Sequence, residues 1–308
     1  MRIIAWTIQI LLVPAASPLL IGIVRKIKAR LQNRVGASVL QPYRDLRKLF
    51  AKDEVVSEDA SWIFRAAPYV VFGVTIAVGA SIPIFSALGA GNRLGDLLTI
   101  VYVLAIGTFF LALAGIDTGN AFGGFGSSRE MTVAALAEGG LVFSMLSLAF
   151  AAHSTNLFRI AAAVGKLSPL AFAPILLSLI AFVICMLAET SRFPFDNPAT
   201  HLELTMIHEA MILEYSGKRL ALMEWAAANK FLIFLILGAN LFFPWGFAAT
   251  ASAAGVAVMI AATGLKVLLL AGFVAVLESS IAKMRFFRLP DLLFVSFILS
   301  VISICLIV

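Results

Sequence analysis

Eight apolar runs, each long enough to cross a lipid bilayer, dominate this 308-residue chain. A crossing needs about 20 mainly apolar residues. Backbone groups in hydrocarbon must find partners within their own segment, so each run is expected to be a helix. The expected spans are about 3–24, 66–88, 97–116, 130–152, 168–188, 229–247, 250–277 and 289–308. Charged residues make up only 13% of the chain and hydrophobic ones 61%. Soluble domains carry about 25% charged residues, so this chain lacks the polar surface to face water. The expected fold is an all-α integral membrane protein, a single membrane domain over residues 1–308. The first run has no small-residue cleavage site after it and reads as a true span.

The net charge of +6 does not point to nucleic acid, because the basic residues sit in loops between apolar runs. Loops one, three, five and seven hold 17 Lys and Arg, ten of them between Arg25 and Arg65; the opposite side holds Arg2, Arg93, Arg159 and Lys166. The positive-inside rule therefore places the four basic loops in the cytoplasm and both termini outside. Trp6, Trp62, Trp225 and Trp245 fall near expected span ends, as interfacial tryptophans do. Cys185 and Cys305 lie in apolar runs and supply neither a disulfide framework nor a metal site.

Two loops on the basic side are long, at about 25–65 and 189–228. In the first, QPYRDLRKLFAKDE carries Tyr43, Leu46, Leu49 and Phe50 at helical spacing with basic residues between. That is a short amphipathic helix, lying on lipid or packed on a partner protein. The glycine-rich run Gly119 to Ser128 lacks a nucleotide-loop spacing and is expected to be a turn.

Ionisable groups inside a bilayer cost about 2.5–3.5 kcal/mol on insertion scales, so each is a functional candidate. Lys266 lies roughly 18 Å along its helix from Glu278, near mid-membrane, and needs an acidic partner or a wet cavity. Glu138 lies about 12 Å into the fourth span, and Glu130 at its edge. Glu130 also suits a first helical turn, where an acid complements the dipole. In AETSRFPFDNP, Glu189 and Arg192 pair if the helix continues that far, and Asn197-Pro198 breaks the chain beside Asp196. If residues 201–214 form one helix, Glu203 and Glu214 share a face and His201 and His208 share the opposite one. Glu203, Glu209 and Glu214 also fit a solvated acidic face. No metalloprotease spacing is present.

Two long motifs carry a family resemblance. RLQNRVGASVLQPYRDLRKLFAKDE resembles the first cytoplasmic loop of the respiratory complex I membrane subunit called one, or H, and AETSRFPFD followed by EYSG resembles that family's signature and sequel. The compact passage from Asn33-Arg34-Val35-Gly36 to Val39-Leu40-Gln41, with IDTGNAFGGFGSSRE and LESSIAKMR, resembles the membrane-anchor subunit of energy-converting nickel–iron hydrogenases of the formate hydrogenlyase type. The resemblance implies a non-redox subunit that anchors a peripheral electron-transfer module and couples its reaction to proton or sodium movement. It implies no cofactor in this chain, and iron–sulfur clusters with or without a nickel–iron centre in a hydrogenase-like large subunit and an Fe–S small subunit. Antiporter-like membrane subunits are the implied lateral partners.

The implied ion-coupling residues are Glu130, Glu138, Glu189, Arg192, Asp196, Glu203, Glu209, Glu214, Lys266 and Glu278. The implied docking residues are Arg30, Gln32, Arg34, Gln41, Arg44, Asp45, Lys48 and Arg285. This chain departs from the family pattern at Ala199 and His201, where acids are usual, and is about three residues longer before Glu214-Tyr215. Two other readings stay open: a quinone-site subunit and a self-sufficient secondary transporter. The latter class usually shows an inverted repeat, and none is legible here.

Overall fold

A computed structural model describes residues 2–84, 95–166, 172–196, 206–246 and 253–307. The elements are α1 (Arg2–Leu31), α2 (Gln41–Phe50), α3 (Trp62–Ser81), α4 (Leu97–Asp117), α5 (Ala121–Ala152), α6 (Leu157–Val164), α7 (Phe172–Glu189), α8 (His208–Ile212), α9 (Gly217–Phe242), α10 (Ala253–Ser280) and α11 (Leu289–Ile307). A 3₁₀ turn, Phe286–Arg288, precedes α11. Eight of these helices are long and apolar enough to cross a membrane. This is a multi-pass, all-α membrane protein. The loops rich in Lys and Arg share one end of the bundle, called the basic end below.

Helix α9 is the hub. It packs on α1, α2, α3, α6, α7 and α10, and Phe231, Ile233, Phe234, Leu235, Ile236 and Leu237 are almost fully buried. Helices α5, α7 and α11 form a second group. Without a hydrophobic drive between helices in lipid, small and hydroxyl residues let them approach. Ser147 bonds Ser178, Ser178 donates to Ser303 at 2.8 Å, and Ser300 donates to the Gly140 carbonyl at 3.3 Å. The short helix α6 closes the end opposite the basic one. Asn156 caps it by accepting from Phe158 and Arg159 N–H, and Leu157, Ile160 and Ala161 are wholly buried.

Three expectations change. The glycine-rich run is not a turn: only Gly119, with φ +67°, turns the chain. Asn120 caps α5 by accepting the Phe122 N–H at 2.9 Å, and the helix runs through the remaining glycines. They are there for close approach, since a Cβ on Gly123 would stand 2.1 Å from the Gly115 carbonyl oxygen of α4. The sixth span starts at Gly217, twelve residues before the expected 229. Trp225 is therefore two turns inside a helix rather than at a span end, whereas Trp62 and Trp245 are exposed at the ends of theirs. Lastly, the described part of 201–214 is helical only at His208–Ile212. Glu203 and His201 lie outside the described residues.

Helix α2 exists as expected, over Gln41–Phe50, with Pro42 at its start. Its buried residues Pro42 and Leu46 lie against α1 and α9 of the same chain.

Candidate functional site

A cavity of about 290 Å³ opens between α1, α2, α3, α4, α5, α7, α8, α9 and α10 toward the basic end. Its walls are apolar, with Pro18, Ile21, Val24, Val74, Leu104 and Phe231 among them, and its polar groups are mostly ionisable. Proline shapes the α1 wall. Pro18 has no N–H, so it leaves the carbonyl of Pro14 four residues earlier without its helical partner. Trp225 of α9 takes that carbonyl with its indole N–H at 2.8 Å. Phe50 and Phe72 pack on the same indole.

The charges form groups. Arg25, Asp45 and Glu224 line the walls. Near the basic end of α10, Glu278 is gripped by two cations, Lys28 of α1 at 2.7 Å and Arg192 at 2.8 Å. The Arg192 guanidinium also lies 3.5 Å from the centre of the Phe231 ring. In a third group, Lys230 of α9 bonds Glu189 Oε2 at 2.8 Å and Thr108 at 3.1 Å. The other carboxylate oxygen of Glu189 is buried with no hydrogen-bond partner among the described residues. Glu130 of α5 is 5% exposed and lines the same cavity. The charges of Lys230, Glu189 and Asp196 all act on it.

Asp196 holds the segment beyond α7. It accepts the N–H groups of Ile207 and His208 at 3.2 and 3.0 Å and pairs with Lys283 at 2.9 Å. Met284 N–H donates to the Pro194 carbonyl at 3.2 Å, so the α10–α11 turn and the α7–α8 segment are tied together. His208 lines the cavity. Burial lowers its pKa below the ordinary 6.5; Asp196 opposes that shift and Lys230 adds to it.

The anticipated residues distribute unevenly over this site. Glu130, Glu189, Arg192, Asp196, Glu209 and Glu278 all line the cavity. Glu189 and Arg192 do not pair with each other, because α7 ends at Glu189 and Arg192 turns to Glu278. Glu138 is half-buried on α5 and makes no hydrogen bond or ion pair among the described residues, although the charges of Glu189 and Lys230 reach it. Glu214 is exposed outside the cavity and bonds the side chain of Asn120. Lys266 has no acidic partner among the described residues. It donates instead to Asn240 Oδ1 at 3.1 Å and to the carbonyl of Phe243, just past the C-terminus of α9, at 2.8 Å. A helix C-terminus carries partial negative charge, which lets it take the place of a carboxylate.

Sequence reading passed over Lys230, Lys28, Lys283 and Glu224. Lys230 sat at the edge of a span placed too short, and a hydropathy window cannot see that Ala226–Ala228 and the residues before them continue the helix. Lys28 and Lys283 read only as loop charges. Of the expected docking residues, Arg30, Gln32, Arg34, Arg44, Lys48 and Arg285 are exposed at the basic end. Gln41 and Asp45 are half-buried and bonded to each other at 2.8 Å. Among the described residues no three His, Cys, Asp or Glu side chains group as a metal site needs.

A family model described as NADH dehydrogenase matches residues 3–308. The chain belongs to the NADH dehydrogenase family. Within that family it is 34% identical to formate hydrogenlyase subunit 4 of Escherichia coli K12, over 94% of each chain. It is 35% identical to hydrogenase-4 component C of the same organism, over 93% of this chain and 90% of that one. It is 30% identical to the H subunit of the NADH-quinone oxidoreductase of Paraburkholderia xenovorans LB400, over 70% of this chain and 64% of that one. A chain in the solved structure of the membrane-bound sulfane sulfur reductase, an archaeal respiratory membrane complex, has the same fold. Its TM-score is 0.84 at 22% identity, covering 100% of this chain and 99% of that one. The resemblance drawn from the loop-one and signature motifs is thus upheld. The two hydrogenase-type relatives match over more of the chain than the quinone-oxidoreductase relative does.

Proposed function

We propose that this chain is the non-redox membrane subunit of a complex I-like energy-converting hydrogenase or related oxidoreductase. It anchors a peripheral electron-transfer module at the cytoplasmic face of a prokaryotic inner membrane and couples that module's reaction to proton or sodium translocation. Both termini lie on the non-cytoplasmic side by the distribution of Lys and Arg. The electrons pass through iron–sulfur clusters of partner subunits: a hydrogenase-like large subunit, with or without a nickel–iron centre, and an Fe–S small subunit. The relatives named as subunits of formate hydrogenlyase and hydrogenase-4 support this reading.

The observation that carries it is the buried Lys230–Glu189 pair, with Glu130 lining the same cavity and the second carboxylate oxygen of Glu189 buried without a hydrogen-bond partner among the described residues. Charges in such surroundings are weakly screened; a unit charge about 7 Å away is worth roughly 2–3 kcal/mol at an effective dielectric of about 20. A change of charge at the docking face therefore reaches Glu130 and Glu189, and through them Glu138 on the outer side of α5. Antiporter-like membrane subunits are the neighbours that would receive it.

The path does not continue straight across this chain. From Phe231 to Ala239 every residue of α9 is buried and apolar, and this stretch separates Lys230 from Asn240 by roughly 15 Å. That barrier weighs against a self-sufficient transporter. A quinone-site role is favoured by one feature, the apolar walls of the cavity; quinone-dependent turnover of the purified complex would decide for it. The coupling reading is tested with Glu189→Gln in the whole complex. Redox turnover is expected to persist while ion movement stops, and unaltered ion movement per electron would refute it.

A further inference from the structure

Between α1 and α2 the chain turns back and descends alongside α1. Lys26 Nζ donates to the Val35 carbonyl at 2.7 Å. Four residues on, a Cβ on Gly22 would be 1.9 Å from the Val39 carbonyl oxygen. Four more residues bring Tyr43, whose hydroxyl donates to the Ala15 carbonyl. The far end of α2 is tied at the same depth. Phe50 packs edge-on against Trp225, with ring centroids 6.2 Å apart, and the Trp225 indole donates to the Pro14 carbonyl. Both ends of α2 are thus held toward residues 14–15 of α1, so the helix lies across the bundle, roughly in the plane of the membrane.

Two spans give that depth independently. On α1 the charges begin at Arg25. Gly22 lies roughly 5 Å and Ala15 roughly 15 Å nearer the membrane centre, at the helical rise. On α3 the exposed Arg65 precedes the apolar run, and Phe72, which also packs on Trp225, lies roughly 10 Å beyond it. Helix α2 therefore sits at the boundary of hydrocarbon and headgroups, the latter a layer about 5–7 Å thick on each side. Its inner residues Pro42 and Leu46 are buried. Its outer face carries Arg44, Arg47 and Lys48 at i, i+3 and i+4, all exposed, with exposed Leu40 and Phe50 at the edges. None of the three cations is in an ion pair among the described residues. Nearby acids are engaged or lie higher. Asp45 bonds Gln41 and lines the cavity with Arg25 and Glu224. Past Ala51 the chain climbs: Glu54 pairs with Arg219, and Val55 is bonded on both sides by Ser216, roughly 13 Å along α9 from Trp225. Exposed Asp53, Glu58 and Asp59 belong to this climbing strap, with exposed Lys52 and Lys218 among them.

We infer that the outer face of α2 binds a phospholipid of net negative charge from the leaflet at the basic end, its phosphate held by Arg44, Arg47 and Lys48 and its acyl chains against Leu40 and Phe50. Three like charges within one turn repel each other unless an anion stands between them. Guanidinium groups match phosphate oxygens two at a time. Arginine and lysine stems cover apolar surface while their heads reach the headgroup layer, and a basic amphipathic helix at this depth is drawn to anionic lipid. A protein with an acidic surface offers the same charge, but it would have to pass the higher, partly acidic strap to reach a layer that headgroups already fill. The site depends on neither the anchoring nor the coupling role proposed above.

The test uses the complete complex, isolated through a tag on this chain in mild detergent and titrated with phosphatidylglycerol or phosphatidylcholine. Bound lipid, retained partner subunits and the thermal midpoint are measured at low and high salt. The variants are Arg44→Gln/Arg47→Gln/Lys48→Gln, the conservative Arg44→Lys/Arg47→Lys, and Arg30→Gln/Arg34→Gln as a control of equal exposure. The triple variant is expected to weaken the tightest phosphatidylglycerol site about tenfold or more, with phosphatidylcholine binding, partner subunits and thermal midpoint unchanged. High salt is expected to imitate it, and the lysine variant to keep most of the affinity. Release of a partner subunit while the lipid stays bound assigns the face to protein and overturns the inference. An unchanged phosphatidylglycerol affinity in the triple variant overturns it too, as does an equal loss in the control, which would reflect general surface charge. Hydrogen exchange of residues 41–50 in the wild-type complex needs no variant to fold. It is expected to slow when phosphatidylglycerol replaces phosphatidylcholine in nanodiscs, and exchange that ignores the headgroup overturns the site.

Discussion

Lys230 meets Glu189 at 2.8 Å where the carboxylate side chain is 6% exposed. Removing one member of such a pair leaves the other charged and dry, at a cost of about 3–5 kcal/mol, whereas replacing both can be nearly neutral. Lys230→Met is therefore expected to lower thermal stability in detergent sharply, and Lys230→Met with Glu189→Leu to recover much of it. Equal losses in the single and double variants would count against an energetically coupled pair. His208 provides a second check. Its pKa is lowered by burial, so the unfolded segment binds more protons than the folded one just below pH 6.5. Stability from this residue is complete above about pH 6.5 and falls as the pH drops beneath it. The protection factors of amides 206–216, corrected for the intrinsic pH dependence of exchange, are expected to fall below that point, and His208→Gln to flatten the dependence.

The helices show where glycine is structural. Gly123 and Gly124 are adjacent in α5 and chemically identical, yet a Cβ on Gly123 would meet the Gly115 carbonyl at 2.1 Å and one on Gly124 would meet nothing within 4 Å. Gly123→Ala is expected to push α4 and α5 apart at a cost of about 1–3 kcal/mol. Gly124→Ala should be neutral or stabilising by up to about 1 kcal/mol, since alanine is the better helix former. Thermal denaturation of the two variants side by side separates packing from propensity. The same contrast explains why this run read as a turn. Composition records that glycine is present, but only the neighbouring helix decides whether it bends the chain or lets two backbones touch. The Asn120 cap was the local signal that a helix begins there.

Across the whole molecule, the charged groups of the cavity and the polar pair Asn240–Lys266 lie on opposite sides of a dry band in α9. Purified alone and placed in liposomes, this chain is expected to pass neither protons nor sodium, as read by a pH dye and by ²²Na uptake. Transport by the isolated chain would mean that the apolar band opens. Ion pairs also brace the helices at the basic end. Glu278 joins α1, the α7–α8 segment and α10 through Lys28 and Arg192, so the same side chains line the cavity and brace the basic end.

Hydropathy and loop charge alone determined the number of spans, their alternation and the basic end, because the cost of burying an unpaired backbone or a charge in lipid acts segment by segment. Motif spacing alone pointed to the family. Which charges meet was decided only by the tertiary structure. Lys230 reaches Glu189 across 41 positions and Lys28 reaches Glu278 across 250, while Lys266 turns to a helix end instead of an acid. Pairing in a poorly screened interior follows distances between helices, and those are set by how side chains pack from different parts of the chain.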